Sequence, residues 1–111
     1  MKLPHPEKAI IPESKLSGYC LNINHSKGGA KARVFQSALG LTAADSEELR
    51  TFLMQVLIQG DAQLDKQNEY GIKYVIYFPM TRGKKQAIVK SVWMIENNTN
   101  FPRLVSCYIP D

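Results

Sequence analysis

Residues 24–35, NHSKGGAKARVF, combine two glycines and three cations with no acid, just before an apolar pattern that predicts a helix. The cations are Lys27, Lys31 and Arg33. A helix N-terminus carries roughly half a positive charge, so a cation in its first turn costs about 0.3–1 kcal/mol. Exposed N–H groups, glycines and flanking lysines therefore predict a cradle for phosphate. The spacing does not match a G-x-x-x-x-G-K-[ST] loop, and a flexible turn with solvated lysines is the alternative.

Charge is separated along the chain. Residues 24–35 carry a net charge of +3 and residues 70–90 carry +5, whereas residues 42–69 carry −4. This distribution predicts one basic surface and one acidic surface, and it favours a polyanion such as RNA as the partner of the basic one. Basic turns without a ligand are the alternative.

The composition is that of a soluble globular protein, with 44% hydrophobic and 22% charged residues in a chain of 111. We expect one domain over residues 1–111. No apolar run has the length of a membrane span, and the N-terminus lacks a signal-peptide core, so we expect a cytoplasmic protein without membrane contact. Cys20 and Cys107 are far apart and form no CxxC. We therefore expect reduced thiols, no metal and no cofactor.

Helical periodicity is confined to the first half of the chain. It predicts helices at residues 12–21, 30–39 and 45–59. Pro12 suits the first turn of the first helix, and Gly40 should end the second. A capping box between Asp45 and Glu48 should begin the third. The apolar stripe of the second helix is Val34, Phe35, Ala38 and Leu39.

The second half of the chain alternates with a period of two. Residues 70–78, 87–95 and 103–109 are rich in aromatic and β-branched side chains and predict three strands. Residues 60–69 are predicted as a polar connection, and residues 79–85 as a turn. Short connections imply an antiparallel sheet of three or four strands, with the helices covering one face. The predicted class is α+β.

Alternation also assigns candidate side chains to faces of the sheet. In the last strand it places Ser106 and Tyr108 with Leu104, and it places Arg103 with Cys107 on the other face.

The aromatic residues of the strands have two interpretations. Tyr74, Trp93 and Tyr108 could form a platform on which RNA bases stack, at about 1–3 kcal/mol per base, or they could be core aromatics. Lys90 and Arg103 could contact phosphate or could be ordinary exposed charges.

Several short motifs resemble a bacterial family of small domains of unknown function. They are KARVF, YGIKY, SVW and PRLVSCYIP, and the similarity extends from Leu16 onward. The matching positions are Lys31, Ala32, Arg33, Phe35, Gly71, Tyr74, Trp93, Pro102, Arg103, Leu104, Ser106, Tyr108 and Pro110. This family implies no activity.

The order of elements in a small basic protein is also similar to the barnase, colicin and RelE ribonucleases, a group that includes bacterial toxins. That analogy implies RNA lying across the sheet and metal-independent cleavage. On it, the catalytic candidates are His25, Lys31, Arg33, Ser106 and Tyr108. The substrate-binding candidates are Lys27, Tyr74, Lys90, Trp93 and Arg103. His25 is the acid/base candidate because imidazole titrates near neutral pH, although the ribonuclease pattern would place a histidine within the sheet.

The alternative function is a non-catalytic protein-interaction module of an immunity or accessory type. Its partner would be a protein such as an antitoxin or immunity protein, and an exposed apolar patch would replace the basic groove.

Overall fold

The computed structural model of the protein describes residues 1–110. Its helices are α1 (Glu13–Lys15), which continues as a π-helical turn (Leu16–Cys20), α2 (Gly29–Leu39) and α3 (Ser46–Gln59), with 3-10 turns at Pro6–Lys8 and Ala43–Asp45. Its strands are β1 (Gln63–Asn68), β2 (Gly71–Arg82), β3 (Lys85–Glu96) and β4 (Arg103–Tyr108). They form one antiparallel sheet in the order β1-β2-β3-β4. The predicted α+β class, with helices first and an antiparallel sheet after them, is confirmed.

The helices cover one face of the sheet, and the core lies between these two layers. Phe35 from α2, Leu53 from α3 and Trp93 from β3 are all fully buried in the same cluster. The strand residues buried against the helices are Ile76, Phe78, Met80, Val89, Trp93, Leu104 and Cys107. The other surface of the sheet, here called the open face, carries Lys73, Val75, Tyr77, Lys90, Val92, Met94, Arg103, Ser106 and Tyr108.

The helices follow the predicted signals, with two local corrections at Val34 and Pro12. Gly40 ends α2 with a φ of 69°, a conformation that glycine adopts without strain. Val34 is 39% exposed, so its place in the buried stripe was wrong, and Ala32 is buried instead. Pro12 lies just before α1 rather than in its first turn.

The capping box lies one turn earlier than predicted. Asp45 accepts hydrogen bonds from the backbone N–H of Thr42 at 2.9 Å and from its hydroxyl at 3.2 Å. This box begins the 3-10 turn that leads into α3, so the pairing of Asp45 with Glu48 was wrong.

Two features of the strands also differ from the predictions. β1 lies within the stretch predicted as a polar connection, and all six of its residues are exposed. An edge strand with no buried face has no apolar alternation, which is why the pattern missed it. β2 and β3 continue to a two-residue turn at Gly83 and Lys84, where Gly83 has a φ of 62°. The prediction of a longer turn over residues 79–85 was therefore wrong.

A β-bulge in β4 changes which side chains share a face. Leu104 and Ser106 pair with adjacent residues of β3, which leaves Val105 without a partner. Cys107 therefore lies on the core face with Leu104, and Ser106 and Tyr108 lie on the open face. The predicted faces of Ser106, Tyr108 and Cys107 were wrong because strict alternation assumes that the strand has no bulge.

Much of the acidic segment is neutralised within the fold. The Arg82 side chain at the end of β2 pairs with Glu48 at 2.7 Å and with Asp45 at 3.3 Å. It also donates to the carbonyls of Leu39 and Gly40, at 3.2 and 2.8 Å. The acids at the start of α3 thus anchor the β2–β3 hairpin to both helices.

No helix within residues 1–110 has the length and apolar character needed to cross a membrane.

Candidate nucleic-acid interface

Two lysines from different elements lie against the ring of Tyr108 at the end of β4. The Lys31 ammonium is 3.9 Å from the ring centroid, and the Lys90 ammonium is 5.6 Å from it. Lys90 also lies 6.0 Å from the centroid of the Tyr77 ring. Lys31, Tyr77, Lys90 and Tyr108 are here called the Tyr108 cluster. Each cation–π contact contributes about 0.5–1 kcal/mol at an exposed site, so α2, β2, β3 and β4 converge on one cationic, aromatic site.

Among the described residues, no carboxylate forms an ion pair with the two lysines of this cluster. Hydrogen bonding with Tyr108 raises the pKa of Lys90, against the opposing effect of burial, and Asp65 raises it further by its charge. Lys90 is therefore cationic at neutral pH. Two ammonium groups around one ring repel each other, and a bound anion would relieve that repulsion.

His25 is engaged in the turn before α2. Its Nδ1 accepts hydrogen bonds from the backbone N–H groups of Lys27 and Gly28, both at 3.0 Å. Its ring also meets the Tyr19 ring edge-on, with the centroids 4.8 Å apart. In the neutral ring the proton then sits on Nε2, and the Nδ1 lone pair is engaged by the two backbone N–H groups. Two of the N–H groups assigned by sequence to a phosphate cradle are thus satisfied by His25.

Arg33 and Lys27 do not join the Tyr108 cluster. The guanidinium of Arg33 lies 3.5 Å from the carbonyl oxygen of Ile23, on the loop that precedes α2. Lys27 is exposed on the same loop. The structure therefore separates Arg33 from Lys31, as their positions on the helical wheel predict.

Trp93 belongs to the core, so its interpretation as a base-stacking residue was wrong. It is fully buried, and its indole N–H donates to the hydroxyl of Ser91 at 2.9 Å. Tyr74 lies on the same side of the sheet, half-buried and packed against the core. Neither ring shares a face with Tyr108.

The remaining candidates lie on the open face. Ser106 is half-buried and Arg103 is exposed, and both are on the same side of the sheet as Lys90. Sequence reasoning missed Tyr77, which is 51% exposed and pairs with Lys90 across β2 and β3. The signal was present in the sequence, since Tyr77 alternates with buried neighbours in β2, but its partner depends on strand register.

The described residues contain no cluster of metal-ligating side chains. Within residues 1–110, no group of three or more His, Cys, Asp or Glu side chains is placed to hold a metal ion.

The fold and the open face define a small α+β domain with a cationic, aromatic surface on its sheet. The chain belongs to the family described as "Domain of unknown function (DUF6883)", whose model matches residues 2–111. The predicted membership in a family of unknown function is confirmed. Comparison with curated proteins and with solved structures found no match.

Proposed function

We propose that this protein binds single-stranded RNA on the open face, with the Tyr108 cluster holding the phosphate backbone. The observation that carries the proposal is the placement of Lys31 and Lys90 around the Tyr108 ring without a neighbouring ion pair in residues 1–110. Single-strand binding surfaces combine a cationic track for phosphates with exposed aromatic rings for bases.

Each residue of the site has a distinct role in this proposal. The two lysines flank Tyr108, so the role of the Tyr108 ring is to hold their ammonium groups in position. Tyr77 is the more exposed ring and is the one that stacks a base. Lys73 and Arg103 extend the positive surface along the open face.

Metal-independent RNA cleavage is the finer form of the proposal. The ribose 2′-oxygen would attack the adjacent phosphorus while the bond to the 5′-oxygen breaks, which yields a 2′,3′-cyclic phosphate and a free 5′-hydroxyl. The ammonium groups of Lys31 and Lys90 could stabilise the negative charge of the pentavalent phosphorane that this attack forms.

Cleavage also requires a base for the 2′-hydroxyl proton and an acid for the leaving oxygen. The raised pKa of Lys90 keeps it protonated, which excludes it as the base and makes it a weaker acid, and His25 Nδ1 is occupied by backbone N–H groups. The geometry therefore supports binding more strongly than cleavage.

The test measures binding of a fluorescent single-stranded RNA by anisotropy, and its cleavage in EDTA by gel. We expect Lys31→Ala and Lys90→Ala to weaken binding about fivefold or more each, since a charged contact contributes about 1 kcal/mol or more. Lys8→Ala removes the same charge from an exposed 3-10 turn outside the site and should bind like wild type. Equal loss in all three variants, or no binding by wild type, would contradict the proposal. Cleavage lost in Lys31→Ala would support the ribonuclease form.

A second candidate is the protein-interaction module, and one groove favours it. The groove has a volume of about 300 Å³ between α3 and β2. Its lining residues are Phe52, Gln55, Val56, Gln59, Gly60, Tyr77, Phe78 and Pro79. Ile58, elsewhere on α3, is 59% exposed. Binding of a protein partner that is insensitive to salt, together with no affinity for RNA, would favour this candidate.

A further inference from the structure

A small cleft opens beside Lys31, between the start of α2 and the residues that follow β4. Its volume is about 220 Å³. Its lining residues are Ala30, Lys31, Val34, Tyr108, Ile109 and Pro110. Lys31 and Tyr108 therefore belong both to this cleft and to the Tyr108 cluster.

We propose that the cleft holds one unpaired base of the RNA, next to the phosphate that Lys31 contacts. This inference rests on the proposed RNA binding and goes beyond it, because it assigns a base-binding subsite off the sheet. A base held there must be unstacked and unpaired, so the subsite selects single-stranded RNA over a duplex.

The chemistry of the lining favours a base attached to a phosphate. Ala30, Val34, Ile109 and Pro110 present apolar atoms that suit the flat face of a nucleobase. Lys31 is the one charged side chain among the lining residues of the described chain. A base bound against the apolar wall would thus bring its own phosphate to a cation.

The size of the cleft limits what it can hold. At about 220 Å³ it is smaller than the roughly 300–1,000 Å³ of pockets that enclose drug-sized ligands. This volume has room for a single ring system. Its continuity with the Tyr108 cluster places that ring at the end of the proposed RNA track.

The exposed positions of α2 allow the cleft to be narrowed without disturbing the core. Ala30 and Ser37 are both exposed on this helix, and only Ala30 lines the cleft. Ala30→Leu fills part of the space, and Ser37→Leu adds a leucine to the same helix outside it. Circular dichroism checks that both variants keep their helix content.

The experiment compares a single-stranded RNA hexamer, the same backbone with every base removed, and a blunt duplex. We expect wild type to bind the intact strand about 25-fold or more tighter than the abasic strand, because the abasic strand lacks both the base stacked on Tyr77 and the base in the cleft, at about fivefold or more each. Ala30→Leu should lose about fivefold in affinity for the intact strand and bind the abasic strand like wild type. Ser37→Leu should behave as wild type in both.

The outcomes separate this inference from the function on which it rests. If Ala30→Leu keeps the wild-type preference for intact over abasic RNA, the base subsite is overturned and the RNA-binding proposal stands. If wild type prefers the duplex, the base subsite is overturned as well. If wild type binds no RNA, the proposed function fails and the subsite fails with it.

Discussion

Ser91 is the one buried polar side chain among the described residues, and it fixes the position of the core tryptophan. Its hydroxyl donates to the carbonyl of Ile76 at 2.9 Å and accepts from the indole N–H of Trp93 at 2.9 Å. A hydroxyl can donate and accept at once, so a single oxygen satisfies two buried partners. Ser91 therefore supports the sheet from which Lys90 projects on the opposite face.

Replacing Ser91 by alanine should destabilise the fold by about 1–3 kcal/mol, because it leaves a buried N–H and a buried carbonyl with one partner fewer. The free energy of unfolding in urea measures this loss. The matched change Ser106→Ala, on the open face, should shift that free energy by no more than about 0.5 kcal/mol. Equal losses in the two variants would show that the hydroxyl of Ser91 has no special role.

At the scale of elements, α1 is held to α3 by an ion pair near the surface. Arg50 of α3 contacts the Glu13 carboxylate at 3.0 Å and also donates to the carbonyl of Ile11. Hydrogen bonds from Ser17, from Ser46 and from Arg50 lower the pKa of Glu13 from 4.5 to about 2. The folded state thus favours the ionised carboxylate, which couples the position of α1 to pH.

The direction of the pH effect follows from this lowered pKa. The stabilisation is present above the unfolded value near 4.5 and is lost as the pH falls toward 2. We expect Glu13→Gln to unfold at a lower urea concentration than wild type at pH 7, and the difference to shrink at pH 2.5. Glu69→Gln, a change in an exposed residue between β1 and β2, is the control and should track wild type at both values. A difference between Glu13→Gln and wild type that is independent of pH would contradict the assignment.

At the scale of the whole molecule, a net charge of +4 is distributed unevenly over the surface. Arg82 and Arg50 are paired with acids at the start of α3 or on α1. Lys73, Lys90 and Arg103 remain on the open face. The internal ion pairs therefore leave the open face as a basic surface, which is the distribution that steers a polyanion.

RNA affinity should fall steeply with salt if this surface carries the binding. Contacts from Lys31, Lys73, Lys90 and Arg103 to phosphate predict a slope of log K against log salt of about −3, at about −0.7 per contact. Lys31→Ala and Lys90→Ala should each reduce the slope by about 0.7, and Lys8→Ala should leave it unchanged. Anisotropy titrations between low and physiological salt give the slopes, and a slope near zero for wild type would contradict an electrostatic interface.

The sequence by itself determined the order of elements and the extent of the principal helices. Periods of 3.6 and 2 are local properties of the chain, and so is the stop signal at Gly40, which the structure confirms. The two basic segments, residues 24–35 and 70–90, also identified Lys31 and Lys90 as candidate site residues. Local rules failed for β1, because an edge strand exposed on both faces has no apolar pattern to read.

Only the tertiary structure decided which candidates form a site. The bulge at Val105 moves Tyr108 to the open face, and a one-residue insertion in register leaves no mark in the alternation of the sequence. The contact of Lys31 with Tyr108 joins the start of α2 to the end of β4, and the burial of Trp93 follows from the helices that cover it. Each of these outcomes depends on long-range packing, because packing sets the face of the sheet on which a side chain lies. On one face the side chain is a core residue, and on the other it is available for binding.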